Sequence, residues 1–160
     1  MKFSKEIFIS DYKICNNSPT YIIAEIGTNH HHGDMEIIKR MIKEAKNVGA
    51  NAVKFQTFIT DKLIARETEH ASRLNSTLEQ GQTWYDLLVS EELTFDKHFE
   101  INNYCKEQNI DFISTPYDEE SLDFLCEELN VPALKIASAD LVNHPLLRQC
   151  AKKKRPIIMS

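Results

Sequence analysis

Four apolar runs in this chain each end in a small group of side chains able to bind or transfer protons: Glu25, Lys54 with Gln56, Ser114 with Thr115, and Lys135 with Ser138. A fifth run, residues 156–160, reaches Ser160. Lysines gathered in one place can hold a small phosphate, and a carboxylate beside them can move a proton. If the runs are parallel strands separated by helices, all the clusters emerge at one end of one sheet, where α/β barrels and doubly wound folds keep their chemistry. The placement reads as an active-site rim.

The elements that must position these groups alternate strand with helix. Residues 5–16 read as a short hairpin with Asp11 and Tyr12 in a tight polar turn, a candidate cover. Residues 21–26 are a near-continuous apolar run, the pattern of a strand buried on both faces. Asp34 offers a helix cap, and Ile37, Ile38, Met41, Ile42 and Ala45 recur at helical spacing until Gly49. Residues 52–56 are the second strand, 95–108 a helix carrying Phe95 and Phe99 as core, and 111–115 the third strand, closed by Pro116. Residues 118–129 form the next helix and 133–138 the fourth strand. Pro145 starts a last helix, which runs into residues 156–160. The order is five strands with four intervening helices, one domain of residues 20–160 behind a hairpin cap of residues 1–19.

One interval breaks the rhythm. About 38 residues separate Gln56 from the helix near Thr94, where αβ units spend only a few in a loop. The insertion carries Arg66, Arg73, Asn75 and the segment Trp84 to Leu88. It reads either as a loop covering a substrate or as a disordered excursion.

At 160 residues and 42% hydrophobic composition the chain can bury a core, and a net charge of -5 argues against a nucleic-acid partner. Cys15, Cys105, Cys126 and Cys150 show no metal-ligand spacing and read as reduced thiols of a cytoplasmic protein. No run approaches the roughly 20 apolar residues of a membrane span, and the start lacks a signal-peptide core.

Four ordered motifs, residues 24–30 (AEIGTNH), 53–56 (VKFQ), 114–118 (STPYD) and 135–138 (KIAS), together resemble the N-terminal half of a sialic acid synthase of the NeuB family. The resemblance covers residues 20–160. It implies a (β/α)8 TIM-type barrel, here only its first five strands and four helices. It also implies condensation of phosphoenolpyruvate with an N-acetylmannosamine-type sugar, releasing phosphate and giving a 2-keto acid. By resemblance Lys54 and Lys135 supply charge for the anion, while Thr115, Tyr117, Ser138 and Ser160 contact substrate. Gln56 hydrogen-bonds the sugar, Glu25 serves the sugar and proton transfer, and Asp140 holds the acid position near the developing cation. Asp140 is shorter than the glutamate many members carry. The family uses a divalent metal, Mn or Mg, whose ligands lie on strands beyond residue 160, so none is expected in this chain. A homodimer, or completion by a missing C-terminal half, is implied. Another phosphoenolpyruvate-dependent 3-deoxy sugar acid synthase, or a non-catalytic binding half of a split barrel, would show a similar anion site.

Taken singly, a lysine at a strand end is more often a solvated rim charge, and two in register reverse that reading. The run His30-His31-His32 is not read as a metal site, because consecutive side chains on extended backbone point apart. His31 and His32 both intervene before Gly33, where family members generally have a single residue. A closed barrel needs eight strands and about 250 residues, so five strands leave two open edges that something must cover. Little or no synthase activity is expected from these residues alone.

Overall fold

The computed structural model describes residues 5–66, 68 and 82–160. Strands β1 (Ile7–Ile9) and β2 (Tyr12–Ile14) pair antiparallel. Their turn is Ser10-Asp11, and Tyr12, expected in the turn, instead opens β2 opposite Ile9. Five further strands form one parallel sheet in chain order: β3 (Ile23–Gly27), β4 (Ala52–Thr57), β5 (Asp111–Pro116), β6 (Leu134–Ile136) and β7 (Ile157–Met159). Tyr21 and Ile22 precede β3 rather than belonging to it. Pro116 does not close the ladder: it sits opposite Thr57, whose carbonyl accepts from the Tyr117 amide at 3.1 Å.

Helix α1 (Met35–Asn47) begins where the Asp34 carboxylate accepts from the Glu36 and Ile37 amides, and its Ile38, Ile42 and Ala45 stripe is buried. The interval after β4 holds a one-turn helix, α2 (Thr60–Leu63), and α3 (Trp84–Glu91), which a Thr83–Asp86 capping box starts. Arg73 and Asn75 lie outside the described residues. Helix α4 (Phe95–Glu107) buries His98, Ile101, Asn102 and Cys105 at helical spacing. Phe95 stacks on Phe124 at 3.9 Å, whereas Phe99, expected in the core, only edges that ring and stays 37% exposed.

The helix expected over 118–129 is α5 (Glu119–Asp123) followed by a π-helical turn, Phe124–Glu128. The Arg155 guanidinium donates to the carbonyls of Cys126 and Val131, so backbone groups left over by the irregular turn are satisfied from outside it. Strand β6 is shorter than expected, because Ser138 already opens a 3₁₀ turn, Ser138–Val142, before α6 (His144–Lys152).

Side chains alternate across the sheet. Val53, Phe55, Phe112, Leu134 and Ile136 face the helices in the main core. Ala52, Ile113 and Ala133 face the other way and bury Ile9 of the hairpin, which closes that face near the strands' N-terminal ends. The same alternation puts Glu25, Lys54, Gln56, Thr115 and Lys135 on the hairpin's face of the sheet, toward the strands' C-terminal ends.

Candidate functional site

Glu25 and Lys54 are direct register partners on β3 and β4, and Lys54 Nζ lies 2.9 Å from Glu25 Oε2. The ion pair is lopsided: the lysine side chain is 8% exposed and the glutamate 57%. A buried ammonium needs a fixed anion, while a carboxylate reaching solvent keeps acceptor capacity for something else. The register slips after Glu25, so Gly27 pairs with Phe55 at a φ of 60°. A Cβ there would lie 3.1 Å from Glu25 Oε1 and 3.7 Å from Gln56 Nε2. The missing side chain leaves room for the carboxylate and amide to share that corner.

Lys135, two strands further on, adds the second cation. Burial lowers its pKa and the Lys54 charge lowers it further, with Glu25 pulling the other way. Its ammonium donates to the Ile136 carbonyl at 2.8 Å and makes a short contact to Ser160 Oγ. Thr115 stands opposite Gln56 in register and is 1% exposed. Tyr117 follows at the rim, its hydroxyl pKa raised by burial and then by the charges of Asp140 and Glu25. The structure therefore draws Glu25, Lys54, Gln56, Thr115, Tyr117, Lys135 and Ser160 to one end of one face.

Two expected residues stand at the margin of this group. Ser138 is exposed at the start of the 3₁₀ turn. Asp140 accepts from the Asn143 side chain at 3.2 Å through one oxygen, while Oδ2 is buried without a partner among the described residues. Ser114, grouped with Thr115 by sequence, faces the helices, where its hydroxyl lies 2.7 Å from Thr57 Oγ1. Adjacent strand residues point oppositely, so only one of the pair can reach the site.

Beside the charged cluster lies a cleft of about 420 Å³ between Gln56 and Tyr117 on one side and Trp84, Leu88 and Glu91 of α3 on the other. Part of the insertion thus forms a wall of the candidate site. The loop after β3 fixes that wall. His30 is 1% exposed; its Nδ1 accepts from the Gly33 amide at 3.0 Å, and the Glu91 carbonyl lies against the ring. His32 Nδ1 is 3.0 Å from the Ser90 carbonyl, and Lys97 Nζ donates to the Gly33 carbonyl at 2.9 Å. Burial, together with the nearby Lys97 charge, pushes the His30 pKa down to about 4. His31, His32 and Gly33 all take left-handed backbone, the way this loop fits two residues before the glycine.

Among the described residues no three His, Cys, Asp or Glu side chains converge on a point that could hold a metal. The one buried histidine of the run has its Nδ1 lone pair committed to an amide. These residues do not fit a divalent ion.

Sequence reasoning missed His98, although its spacing with Ile101, Asn102 and Cys105 along the buried stripe was a readable signal. It also missed Asp111, which takes the Ser10 and Tyr21 hydroxyls on its two oxygens at 2.6 Å each.

Comparison with known proteins agrees with this fold. Residues 41–160 match the NeuB family. The N,N'-diacetyllegionaminic acid synthase of Legionella pneumophila is 41% identical over 140 residues, which cover 88% of this chain and 39% of the relative. The solved N-acetylneuraminic acid synthetase of Leptospira borgpetersenii, in complex with citrate, superposes with a TM-score of 0.80 at 33% identity over 98% of this chain and 49% of its own. A truncated 3-deoxy-D-arabino-heptulosonate 7-phosphate synthase from Thermotoga maritima reaches a TM-score of 0.63 over 96% of this chain and 44% of its own. At 12% identity that likeness speaks for the fold alone, an α/β architecture of the (β/α)8-barrel type. The chain spans less than half the length of each of these proteins. Four motifs in order, a parallel five-stranded sheet with its polar groups at one end, and a family match over three quarters of the sequence agree: this chain belongs to the NeuB family.

Proposed function

We propose that the chain is the phosphoenolpyruvate-binding portion of a synthase that condenses this substrate with N-acetylmannosamine or a related amino sugar. The observation that carries the reading is the Glu25, Lys54 and Lys135 cluster on one face. Two lysines, one of them buried, offer fixed positive charge to a ligand bearing a carboxylate and a phosphate. Hydroxyls of Thr115, Ser138 and Ser160 donate to the remaining anionic oxygens, with Thr115 held in place by β5 and Ser160 placed just past the end of β7. Citrate in the Leptospira relative is likewise a polyanion.

In the reaction, the C2–C3 π pair of phosphoenolpyruvate forms a bond from C3 to the carbonyl carbon of the open-chain sugar, whose oxygen takes a proton and becomes a hydroxyl; water adds at the cationic C2 and gives up its protons, and the C2–O bond breaks to leave the 2-keto acid and phosphate. Glu25 serves the sugar and proton transfer, Gln56 hydrogen-bonds the sugar, Tyr117 contacts substrate, and Asp140, whose Oδ2 has no hydrogen-bond partner among the described residues, takes the acid position near the developing cation. The divalent ion, Mn or Mg, that the family resemblance implies would take its ligands from strands beyond residue 160 and would supply Lewis-acid activation of the aldehyde. These residues alone bind without turnover, and a homodimer or a C-terminal half supplies the rest. No described helix is long and apolar enough to cross a membrane, and four free thiols suit a reducing cytoplasmic setting.

Titration calorimetry of the chain with phosphoenolpyruvate, repeated with Lys54→Ala and Lys135→Ala, tests this reading. Binding lost in both variants supports it; undiminished binding in both excludes this site. Turnover by the purified chain alone would remove the claim that it binds without reacting. A panel of amino-sugar and simple aldose acceptors, offered to the chain completed by its C-terminal half, separates the amino-sugar reading from another 3-deoxy sugar acid synthase.

A further inference from the structure

His98 lies on α4, on the helix side of the sheet and away from the charged cluster, and is fully buried. Its ring edges those of Phe112 and Phe124, which leaves two nitrogens to be satisfied without water. Nδ1 is 2.9 Å from the Thr94 carbonyl, and Nε2 is 2.8 Å from Thr57 Oγ1. Thr57 Oγ1 is in turn 2.7 Å from Ser114 Oγ.

A carbonyl can only accept, so Nδ1 carries the proton. Burial lowers the pKa of the ring and keeps it neutral, against the pull of the Thr94 and Gln56 carbonyls. Nε2 therefore accepts from the Thr57 hydroxyl, which leaves the Thr57 oxygen to accept from Ser114. The direction of every bond in the chain is fixed. His30 has the opposite tautomer, since its Nδ1 receives an amide proton.

This chain of bonds ends on two residues, Thr57 and Ser114, each adjacent in sequence to one that faces the site. Thr57 follows Gln56, and Ser114 precedes Thr115, while Gln56 and Thr115 are register partners across β4 and β5. A strand end cannot shift or rotate without moving both of its faces. We infer that His98 is a positioning residue: by tying Thr57 and Ser114 to α4 it sets where Gln56 and Thr115 stand on the opposite face. The inference rests on the proposed reading of that face as the substrate site.

Three variants of the chain test it. His98→Phe keeps a ring between Phe112 and Phe124 and removes both bonds. Thr57→Val removes only the hydroxyl that links His98 to Ser114. His98→Gln puts an amide oxygen where Nε2 accepts. Phosphoenolpyruvate affinity is expected to fall about tenfold in the first two, the worth of roughly one buried hydrogen bond, and to return within about threefold in His98→Gln. The amide resonances of Gln56 and Thr115 are expected to move in His98→Phe and Thr57→Val and to hold near their original positions in His98→Gln. A merely structural histidine would lower the melting temperature and leave affinity and these resonances alone, and that result overturns the inference. If His98→Phe does not fold, Thr57→Val against the parent chain carries the same comparison. If the parent chain does not bind phosphoenolpyruvate, the proposed function fails, and the two resonances still decide the role of His98.

Discussion

Glu25 and Lys54 are opposite each other on adjacent parallel strands, and their 2.9 Å ion pair joins a buried cation to a carboxylate that is more than half exposed. Burying the lysine without that carboxylate would be unfavourable, whereas an exposed carboxylate loses little by standing alone. The exposed glutamate can thus turn toward a ligand while the buried lysine stays fixed.

Separate effects on folding and on binding follow. Glu25→Gln is expected to lower stability by about 1–3 kcal/mol, because it leaves the buried Lys54 ammonium without its anion. Lys54→Met is expected to be near neutral or slightly stabilising, since an apolar side chain of similar length replaces a desolvated charge, yet to abolish phosphoenolpyruvate binding. Urea unfolding and calorimetry on the same samples check both. A large loss of stability in Lys54→Met would show that the lysine serves the fold.

His30 makes a prediction about pH. Its folded pKa of about 4 lies below the ordinary 6.5, so between those values the unfolded chain binds more protons than the folded one. The stability this neutral imidazole carries is whole above about pH 6.5 and drains away as pH falls toward 4, by at most about 3 kcal/mol. The direction is fixed by structure: protonated Nδ1 would face the Gly33 amide, another donor. His98, also held neutral by burial, adds a slope of the same sign. Urea midpoints at pH 7, 5.5 and 4.5 should fall for the parent chain and fall less steeply for His30→Asn. Parallel slopes would contradict the buried neutral ring.

The cysteines divide by environment. Burial pushes Cys105 up to about 12 and Cys150 up to about 11, and raises Cys126 as well. Cys15 follows β2, is half-buried, and has its pKa lowered by the Ser18 hydroxyl at 3.1 Å and the Asn17 backbone. Thiolate is the reactive form. Iodoacetamide at neutral pH should therefore label Cys15 first, with the other three reacting only after unfolding. Mass spectrometry of tryptic peptides reads the order, and equal labelling of all four would refute it.

The residues that could be read from sequence are those whose signal is local. The Asp34 cap, the Ile38-Ile42-Ala45 stripe and the order of five strands needed nothing beyond spacing. Ser114 and Thr115 show where spacing stops helping: period two sends one of them outward, but which one depends on partners that only the assembled sheet supplies. The π turn after Asp123 was unreadable for a similar reason, because the donors that satisfy it come from Arg155, far along the chain. Helix α3 was legible and missed: Thr83 and Asp86 have the spacing of a capping box, hidden by treating the insertion as one loop.

Asp111 gives the last prediction. Its two oxygens each accept a hydroxyl at 2.6 Å, Ser10 from the hairpin turn and Tyr21 from the segment leading into β3. Tyr21 is raised strongly by burial and by this carboxylate, so its proton stays on the phenol and the bond persists across the working pH range. Ile9 packs between Ala52, Ile113 and Ala133 only while the turn is held there. Asp111→Ala removes both acceptors and is expected to cost about 1–3 kcal/mol. Hydrogen exchange should quicken at the β1 and β2 amides while α1 and β4 stay protected. Asp111→Asn keeps one acceptor oxygen and should lose less. Phosphoenolpyruvate affinity should not change in either variant, because Asp111 opens β5 and the candidate site lies at its other end. A drop in affinity equal to that of Lys54→Ala would mean that the β1–β2 hairpin and the site communicate through the length of the sheet.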